Sequence, residues 1–452
     1  MNIILVGCGK IGTSIVSTLV AEGHDVVVID KSQAVTESIG NIYDIMSVCG
    51  NGADCETLSE AGVEKAELFI AVTDSDETNM LSCFLAQKMG AEHTIARIRD
   101  PQYNDHSLTF MRQHLGLTAS LNPDWLAAQE IFRVLRLPAA VNVETFTGGN
   151  LEMVELKITE DSPLNGCSLS ELRRKYSAKF LVCAVQREDN VYIPDGNFVL
   201  QNGDRIGITA QPTEIVKLLK MLGIVSRQAH NIIILGASRI SHYLAKQLLA
   251  GGNKVTIIDM DEKRCREFSS QLPEATMIMG DGAEQELLIE EGIDRSDAFL
   301  ALTGMDEENI LVSMFAKSRG VKKVIPKVNR DELYKMAENM GLDTLVSPKH
   351  IVSDIIAKYA RALKNSLGSN VETLYKLMNG SVEALEFNAT AEFRGIRTTL
   401  KDLRLKPGVL IAGIIRGRKA IIPSGEDMIM SGDRVVVIVS GQKLYDLSDI
   451  VQ

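Results

Sequence analysis

The sequence predicts an α/β protein in which two doubly wound parallel-sheet domains stand in tandem, each followed by a small α+β subdomain. Three observations predict it. Short Val/Ile-rich runs alternate with amphipathic stretches through much of the 452 residues. A glycine-rich turn, Gly7-x-Gly9-x-x-Gly12, separates the first apolar run from the first amphipathic stretch. A series of short motifs then recurs, in order, 229 or 230 residues further on.

Residues 2–6 form the first strand, 10–22 a helix with apolar spacing, and Asp25-Val-Val-Val-Ile-Asp30 the second strand. Helix and strand alternate to about residue 120, with Phe69–Thr73 and Thr94–Ile98 the clearest later strands. Such near-continuous apolar strands belong in parallel sheets covered on both faces. Asn122-Pro123 supplies an N-cap and a first-turn proline for a helix ending near Leu137-Pro138, and Ser347-Pro348 opens its counterpart. From about residue 140 the pattern changes: a strand from Leu151 to Ile158, a short helix from Leu169 to Tyr176, strands at 179–187 and 204–209, and a closing helix from Thr213 to Leu222. This small subdomain recurs at about 368–452. The expected divisions are 1–138, 139–223, 229–365 and 366–452, with the joint between halves near Ile224 to His230.

The repeat is colinear. Gly7 and Asp30 return as Gly236 and Asp259, 229 residues later. Gly50-Asn51-Gly52-Ala53 returns as Gly280-Asp281-Gly282-Ala283, and Thr73, Asp76, Glu77 and Asn79 return as Thr303, Asp306, Glu307 and Asn309, each 230 residues later. Ile193-Pro194-Asp195-Gly196 matches Ile422-Pro423-Ser424-Gly425, and Gly203-Asp204-Arg205 matches Gly432-Asp433-Arg434. Chance supplies one such match, not a series at a nearly constant offset.

Composition narrows the partners. Hydrophobic residues at 45% and charged residues at 24% are ordinary for globular chains, while aromatics at 5% leave cores of Ile, Val, Leu and Ala. A net charge of −11 repels a phosphate backbone, and no basic stripe offsets it; Arg173-Arg174-Lys175 and Arg416-Gly417-Arg418-Lys419 read as solvated surface. No nucleic-acid partner is expected. The seven cysteines are scattered without a CxxC, which fits reduced thiols in the cytoplasm. The seven histidines show no HxxH or HExxH spacing, so no metal site is expected. The first residues run straight into a strand, so no signal peptide is expected. Apolar runs such as Val435 to Val439 fall well short of the roughly 18 residues a membrane helix needs. Any membrane link therefore passes through a partner.

The Gly7–Gly12 turn lies between strand and helix with Asp30 ending the next strand, which is the Rossmann arrangement for a dinucleotide. Gly7 permits the tight turn, Gly9 removes a Cβ where the pyrophosphate approaches, and Gly12 lets the helix pack on the sheet. The helix beginning at Lys10 and Ile11, after Cys8, points free N–H groups and a positive dipole end at the phosphates. Asp30 accepts from the adenosine ribose and repels a 2′-phosphate, favouring NAD(H) over NADP(H), although Lys31 beside it blurs the preference. Asn51, Gly52, Thr73, Asp74 and Arg97 follow at carboxyl ends of strands, where ligands of such sheets sit. Thr73-Asp74 equally fits capping of the helix that follows, and Arg97 equally fits a pair with Asp100 or Glu92.

The second half departs from the pattern. Its loop reads Gly236-Ala237-Ser238-Arg239-Ile240-Ser241, so two glycines have become serines while Asp259 remains. A Cβ at Ser238 crowds a pyrophosphate, and Arg239 attracts phosphate. NAD(H), another adenine nucleotide such as ATP or ADP, and an empty structural copy all stay open for this half.

With Gly7-Cys-Gly-Lys-Ile-Gly12, Asp30, Thr73-Asp-Ser-Asp-Glu-Thr-Asn-Met80 and Ala96-Arg-Ile-Arg99, the chain resembles the TrkA family, peripheral subunits of bacterial Trk potassium-uptake systems that carry two tandem RCK units. Gly166 and Gly203-Asp-Arg205 resemble the family's C-terminal lobe. The resemblance implies a regulator, not an enzyme. Such subunits assemble as a homo-oligomeric ring, expected to be a tetramer, on the inner face of the plasma membrane beneath a membrane-embedded Trk-type potassium channel subunit. They bind NAD(H), with ATP or ADP also implicated. Residue by residue, the second site would use Gly236, Ser238, Arg239, Asp259, Asp281, Gly282 and Thr303.

Two other classes compete. An NAD-dependent dehydrogenase needs an acid–base group beside the nicotinamide. His93, His106 and His114 are the candidates in the first lobe, and none has an orienting carboxylate at motif spacing. An NAD-sensing transcriptional regulator needs a basic DNA-binding element, and the sequence offers none.

Overall fold

The computed structural model describes residues 1–100, 103, 110–111, 114–137, 140–146, 149–188, 190–223, 229–366, 371–378, 382–417, 419–442, 444 and 446–452. Pro138, His106, Arg418 and most of the expected joint between the halves lie outside the described residues.

In the first half, strands β1 (Asn2–Val6), β2 (Asp25–Asp30), β3 (Met46–Cys49), β4 (Leu68–Ala71), β5 (His93–Arg97) and β6 (Ala119–Leu121) form one sheet. Its order is β3-β2-β1-β4-β5-β6, and every pairing is parallel. The order reverses between β1 and β4, so the crevice at the carboxyl ends opens beside the glycine turn. Helices α1 (Lys10–Ala21), α2 (Gln33–Tyr43), α3 (Cys55–Glu60) and α4 (Asp76–Met89) connect these strands, and α5 (Pro123–Arg136) leaves the last one. The central strands are buried throughout, as runs such as Ile3-Ile4-Leu5 and Leu68-Phe69-Ile70 dictate.

The small subdomain follows with β7 (Ala140–Phe146), β8 (Leu151–Lys157), α6 (Leu169–Lys175), β9 (Phe180–Arg187), β10 (Asn190–Tyr192), β11 (Arg205–Ala210) and α7 (Pro212–Met221). Its sheet is antiparallel, in the order β10-β9-β11-β8-β7. β7, which the sequence reading left unassigned, is the edge of this sheet.

The second half repeats both sheets, but the small α+β subdomain expected at about 368–452 shows no α-helix among its described residues after Ser366, where turns and a 3-10 helix (Leu447–Ile450) replace α6 and α7. Parallel strands β12 (Asn231–Leu235), β13 (Lys254–Asp259), β14 (Thr276–Met279), β15 (Ala298–Ala301) and β16 (Lys323–Pro326) carry α8 (Arg239–Ala250), α9 (Glu262–Gln271), α10 (Gln285–Glu290), α11 (Asp306–Ser318), α12 (Asp331–Asn339) and α13 (Pro348–Ser366). An antiparallel sheet of β17 (Val371–Leu377), β18 (Val382–Asn388), β19 (Val409–Arg416), β20 (Lys419–Ile421) and β21 (Arg434–Val439) closes the chain.

The compact units do not follow chain order. One comprises Met1–Phe132 with His230–Ala360, so the two parallel-sheet lobes pack on each other; the other comprises Arg133–Ala229 with Arg361–Gln452. In the first unit, Ser353 on α13 donates to Ser14 on α1 (2.8 Å) and the Asn122 side chain meets the Tyr243 hydroxyl of α8 (3.2 Å). In the second, the antiparallel sheets share a core including Phe146, Leu151, Cys183, Ala412 and Val436. The repeated Gly-Asp-Arg motif has a structural reason here. Buried Asp204 takes a two-point ion pair from Arg187 (2.7 and 2.8 Å), and buried Asp433 takes the same from Arg416 (2.9 and 2.8 Å). Arg416 is thus a fold staple and not merely solvated surface.

Candidate nucleotide-binding site

A cavity of about 660 Å³, within the size range of small-molecule sites, opens at the carboxyl ends of β1 and β4. Gly7, Gly9, Lys10, Ile11, Asp30, Asn51, Gly52, Thr73, Asp74 and Arg97 all line it. Cys8 and Gly12 do not, and serve the loop from behind.

Each glycine has its own reason. Gly7 has φ +94°, and a Cβ there would lie 2.8 Å from the Thr73 nitrogen. At Gly12 a Cβ would lie 1.9 Å from the Gly7 carbonyl oxygen, and at Gly52 2.1 Å from Val6 Cγ1. Those positions are glycine because the fold demands it. Gly9 is different: its φ is −70° and a Cβ would meet nothing within 4 Å. The protein alone gives no reason for a glycine there, whereas a phosphate seated in front of the loop does. Gly9 is also the N-cap of α1 and no side chain caps that helix, so its first N–H groups remain available to an anion.

Asp30 closes the loop from the other side. Its carboxylate accepts from Cys8 N–H (2.7 Å) and Ser32 N–H (2.9 Å), which fixes its orientation and leaves lone pairs for ribose hydroxyls. Burial, reinforced by Asp30, pushes the Cys8 thiol up to about 12. Alkylation of the native protein at pH 8 is therefore expected to label exposed Cys49 and Cys55 and spare Cys8; rapid Cys8 labelling, read by peptide mass, would show that the loop opens.

At the end of β4 the structure uses a device the sequence reading missed. Buried Asn79 accepts from Thr73 N–H (2.8 Å) and Thr73 Oγ1 (2.7 Å) and donates to the carbonyls of Thr73 (3.2 Å) and Arg97 (2.9 Å). Asp76 Oδ2 accepts the Arg99 and Asp100 N–H groups, each at 2.8 Å. The Thr73-Asp74 stretch is thus a clamped strand end, while Ser75 caps α4 by accepting from Thr78 N–H. Arg97 donates to the Thr73 carbonyl, and its Nε finds no hydrogen-bond partner among the described residues. Arg97 is only 8% exposed, and burial lowers its guanidinium to about 10. A buried guanidinium with its Nε unbonded, on the wall of a cavity, fits a site built for an anion. His93, at the start of β5, sits at the opposite end of that strand from Arg97, and no described histidine lines the cavity.

The second lobe supplies the opposite wall, through Ile240, Lys327, Asn329, Pro348 and Lys349. No motif spacing could have identified these residues, because they reach the site only through packing of one lobe on the other. Asp124, at the first turn of α5, lines the cavity as well.

The second lobe's own crevice is built differently. Ser238 caps α8 by accepting from Ser241 N–H (3.3 Å), and Ser241 Oγ donates to the Gly236 carbonyl (2.5 Å). The helix end that is bare in the first lobe is thus occupied by side chains. Asp259 takes Ala237 N–H (2.7 Å) but is also paired with Arg264 (3.2 Å), where the first lobe has Val35. Lys31, Asn51 and Thr78 are replaced by Met260, Asp281 and Glu308, and burial together with Asp281 and Asp259 raises the Glu308 carboxyl above its usual range. Gly236 keeps the positive φ of Gly7, at +98°, and Thr303 keeps the Asn309 clamp (3.0 Å). Gly282 is a packing glycine, since a Cβ would lie 1.9 Å from Leu235 Cδ1. Arg239 faces Asp124 of the first lobe electrostatically.

The TrkA-N domain family matches residues 3–118 and 232–348, and the TrkA-C domain family matches 153–223 and 387–452. A Trk system potassium uptake protein TrkA homolog of Archaeoglobus fulgidus is 33% identical over 452 residues, covering 100% of both chains. A homolog of Methanosarcina mazei is 32% identical over 445 residues, covering 97% of each. Among solved structures, the GsuK channel bound to NAD superposes with a TM-score of 0.63 at 18% identity, covering 97% of this chain and 77% of that one, a likeness of fold. The chain belongs to the TrkA family, with its TrkA-N and TrkA-C domains each present twice.

Proposed function

We propose that the chain is the nucleotide-sensing subunit of a membrane potassium-uptake system, in which NAD(H) or an adenine nucleotide in the first-half crevice changes how a ring of these subunits gates a membrane-embedded channel partner. Support for the potassium system comes from the relatives, which are named as Trk system potassium uptake proteins. Support for nucleotides comes from GsuK, solved with NAD and with ADP. No helix among the described residues is long and apolar enough to cross a membrane, so the reading assigns membrane contact to the partner.

The observation that carries the proposal is that the cavity has walls from both parallel-sheet lobes. A ligand touching both favours one arrangement of the lobes over others, and differential affinity is what shifting a conformational equilibrium requires. The first crevice is the sensing site in this reading. The second, with Ser238 capping its helix and Arg264 on Asp259, is the empty copy.

Calorimetry tests it. The purified chain is expected to take up NADH, NAD⁺, ADP or ATP at one site per chain. Asp30→Ala is expected to weaken uptake by about 10-fold or more, since a hydrogen bond to a charged group contributes about 1.5–3 kcal/mol. By reciprocity of linkage, nucleotide affinity must also change when the channel partner is bound. A chain that takes up none of these nucleotides, or takes them up equally with and without partner, would sink the reading.

A further inference from the structure

Arg97 and Arg99 of the first lobe and Arg239 and Lys327 of the second act electrostatically on one carboxylate, Asp124. Asp124, Arg97, Arg99 and Lys327 also share the wall of one cavity. Asp124 occupies the first turn of α5, held there as Asn122 accepts its N–H (3.1 Å). Burial raises its carboxyl above the usual range while the four cations pull the other way. Lys327 is itself half-buried, its ammonium lowered by burial, held up by Asp124 and Asp306 and opposed by Lys10. Asp76 pairs with Arg99 (3.9 Å) and acts with Asp74 on Arg97, and Asp306 acts on Lys327, whereas Asp124 faces cations of both lobes at once.

We propose that Asp124 is a built-in counter-ion that holds the cations of both lobes until the terminal phosphate of a nucleoside di- or triphosphate displaces it, and that it thereby sets the crevice's preference between such nucleotides and dinucleotides. A dinucleotide carries a pyrophosphate esterified at both ends and no terminal phosphate, and that pyrophosphate would lie against the glycine loop and Lys10; a terminal phosphate would carry further charge towards Lys327 and Arg97 and compete with the carboxylate directly. The inference rests on the nucleotide reading of the first crevice.

The test measures ADP and NADH affinity by calorimetry, without metal, for the full chain and for Asp124→Asn, Asp124→Glu and Lys327→Met. Asp124→Asn is expected to tighten ADP by about 10-fold with little change for NADH, because an anionic competitor is gone. Asp124→Glu is expected to keep the wild-type ratio, and Lys327→Met to weaken ADP more than NADH. An unchanged or lowered ADP-to-NADH preference in Asp124→Asn would overturn the assignment while leaving the nucleotide site intact. A wild-type chain that binds neither would overturn both.

Discussion

Replacing Gly9 with alanine is expected to cost nucleotide affinity about 10- to 100-fold while leaving the melting temperature close to that of the wild type. The two halves of this result have separate causes. The backbone at Gly9 has φ −70° and ψ −168°, which any L residue adopts, and the added Cβ meets no protein atom within 4 Å. Folding therefore has little to lose. The loop is rigid, however, because Gly7 N–H is bonded to Ile29 O (2.9 Å) and Cys8 N–H to Asp30 (2.7 Å). A phosphate facing it cannot retreat without losing the N–H groups of α1, and overpacking of this kind costs about 1–3 kcal/mol. Gly12→Ala gives the contrasting result: its Cβ would lie 1.9 Å from the Gly7 carbonyl oxygen, so stability falls along with binding. Thermal melting and calorimetry on the pair separate a glycine kept for the ligand from one kept for the fold. Equal affinity in Gly9→Ala and wild type would remove the phosphate from this loop.

Much of this was legible in the sequence, for identifiable reasons. The parallel sheets follow from continuous apolar strands, and the doubled architecture follows from the constant offset of its motifs. The glycine loop and Asp30 were legible because phosphate binding fixes residue types at short spacing, and they stand together in the structure. Gly52 lines the crevice, but the glycine itself answers to Val6 packing. The roles of Asp76 and Asn79 were overlooked although both recur as Asp306 and Asn309, since the repeat marks their positions without naming their bonds. Lys327 and Lys349 were invisible for a deeper reason. They belong to the other copy of the fold, and nothing local in a sequence encodes which surface of one lobe meets the next.

That packing gives Asn79 and Asn309 unequal neighbours and a shared consequence. Asn79→Ala leaves buried groups at Thr73 and Arg97 without their partner, and each such loss costs about 1–3 kcal/mol. The expected destabilisation is about 3 kcal/mol, measured as accelerated hydrogen exchange at the carboxyl ends of β4 and β5, and nucleotide affinity falls because Thr73 and Arg97 lose their placement. Asn309 makes the same bonds in the second lobe, to Thr303 N–H (3.0 Å) and to the carbonyl of Lys327 (2.9 Å). Its own crevice is capped by Ser238, so a purely local view expects Asn309→Ala to be silent in binding. Lys327, however, lines the same cavity as the first lobe's crevice, its ammonium donating to the Leu302 carbonyl (3.4 Å). Asn309→Ala is therefore expected to weaken uptake at the first site, more for ADP than for NADH, from the far side of the lobe junction. Were it to destabilise the second lobe and leave uptake untouched, Lys327 would be wall and not ligand, and the second copy of the fold would contribute only support to the site it faces.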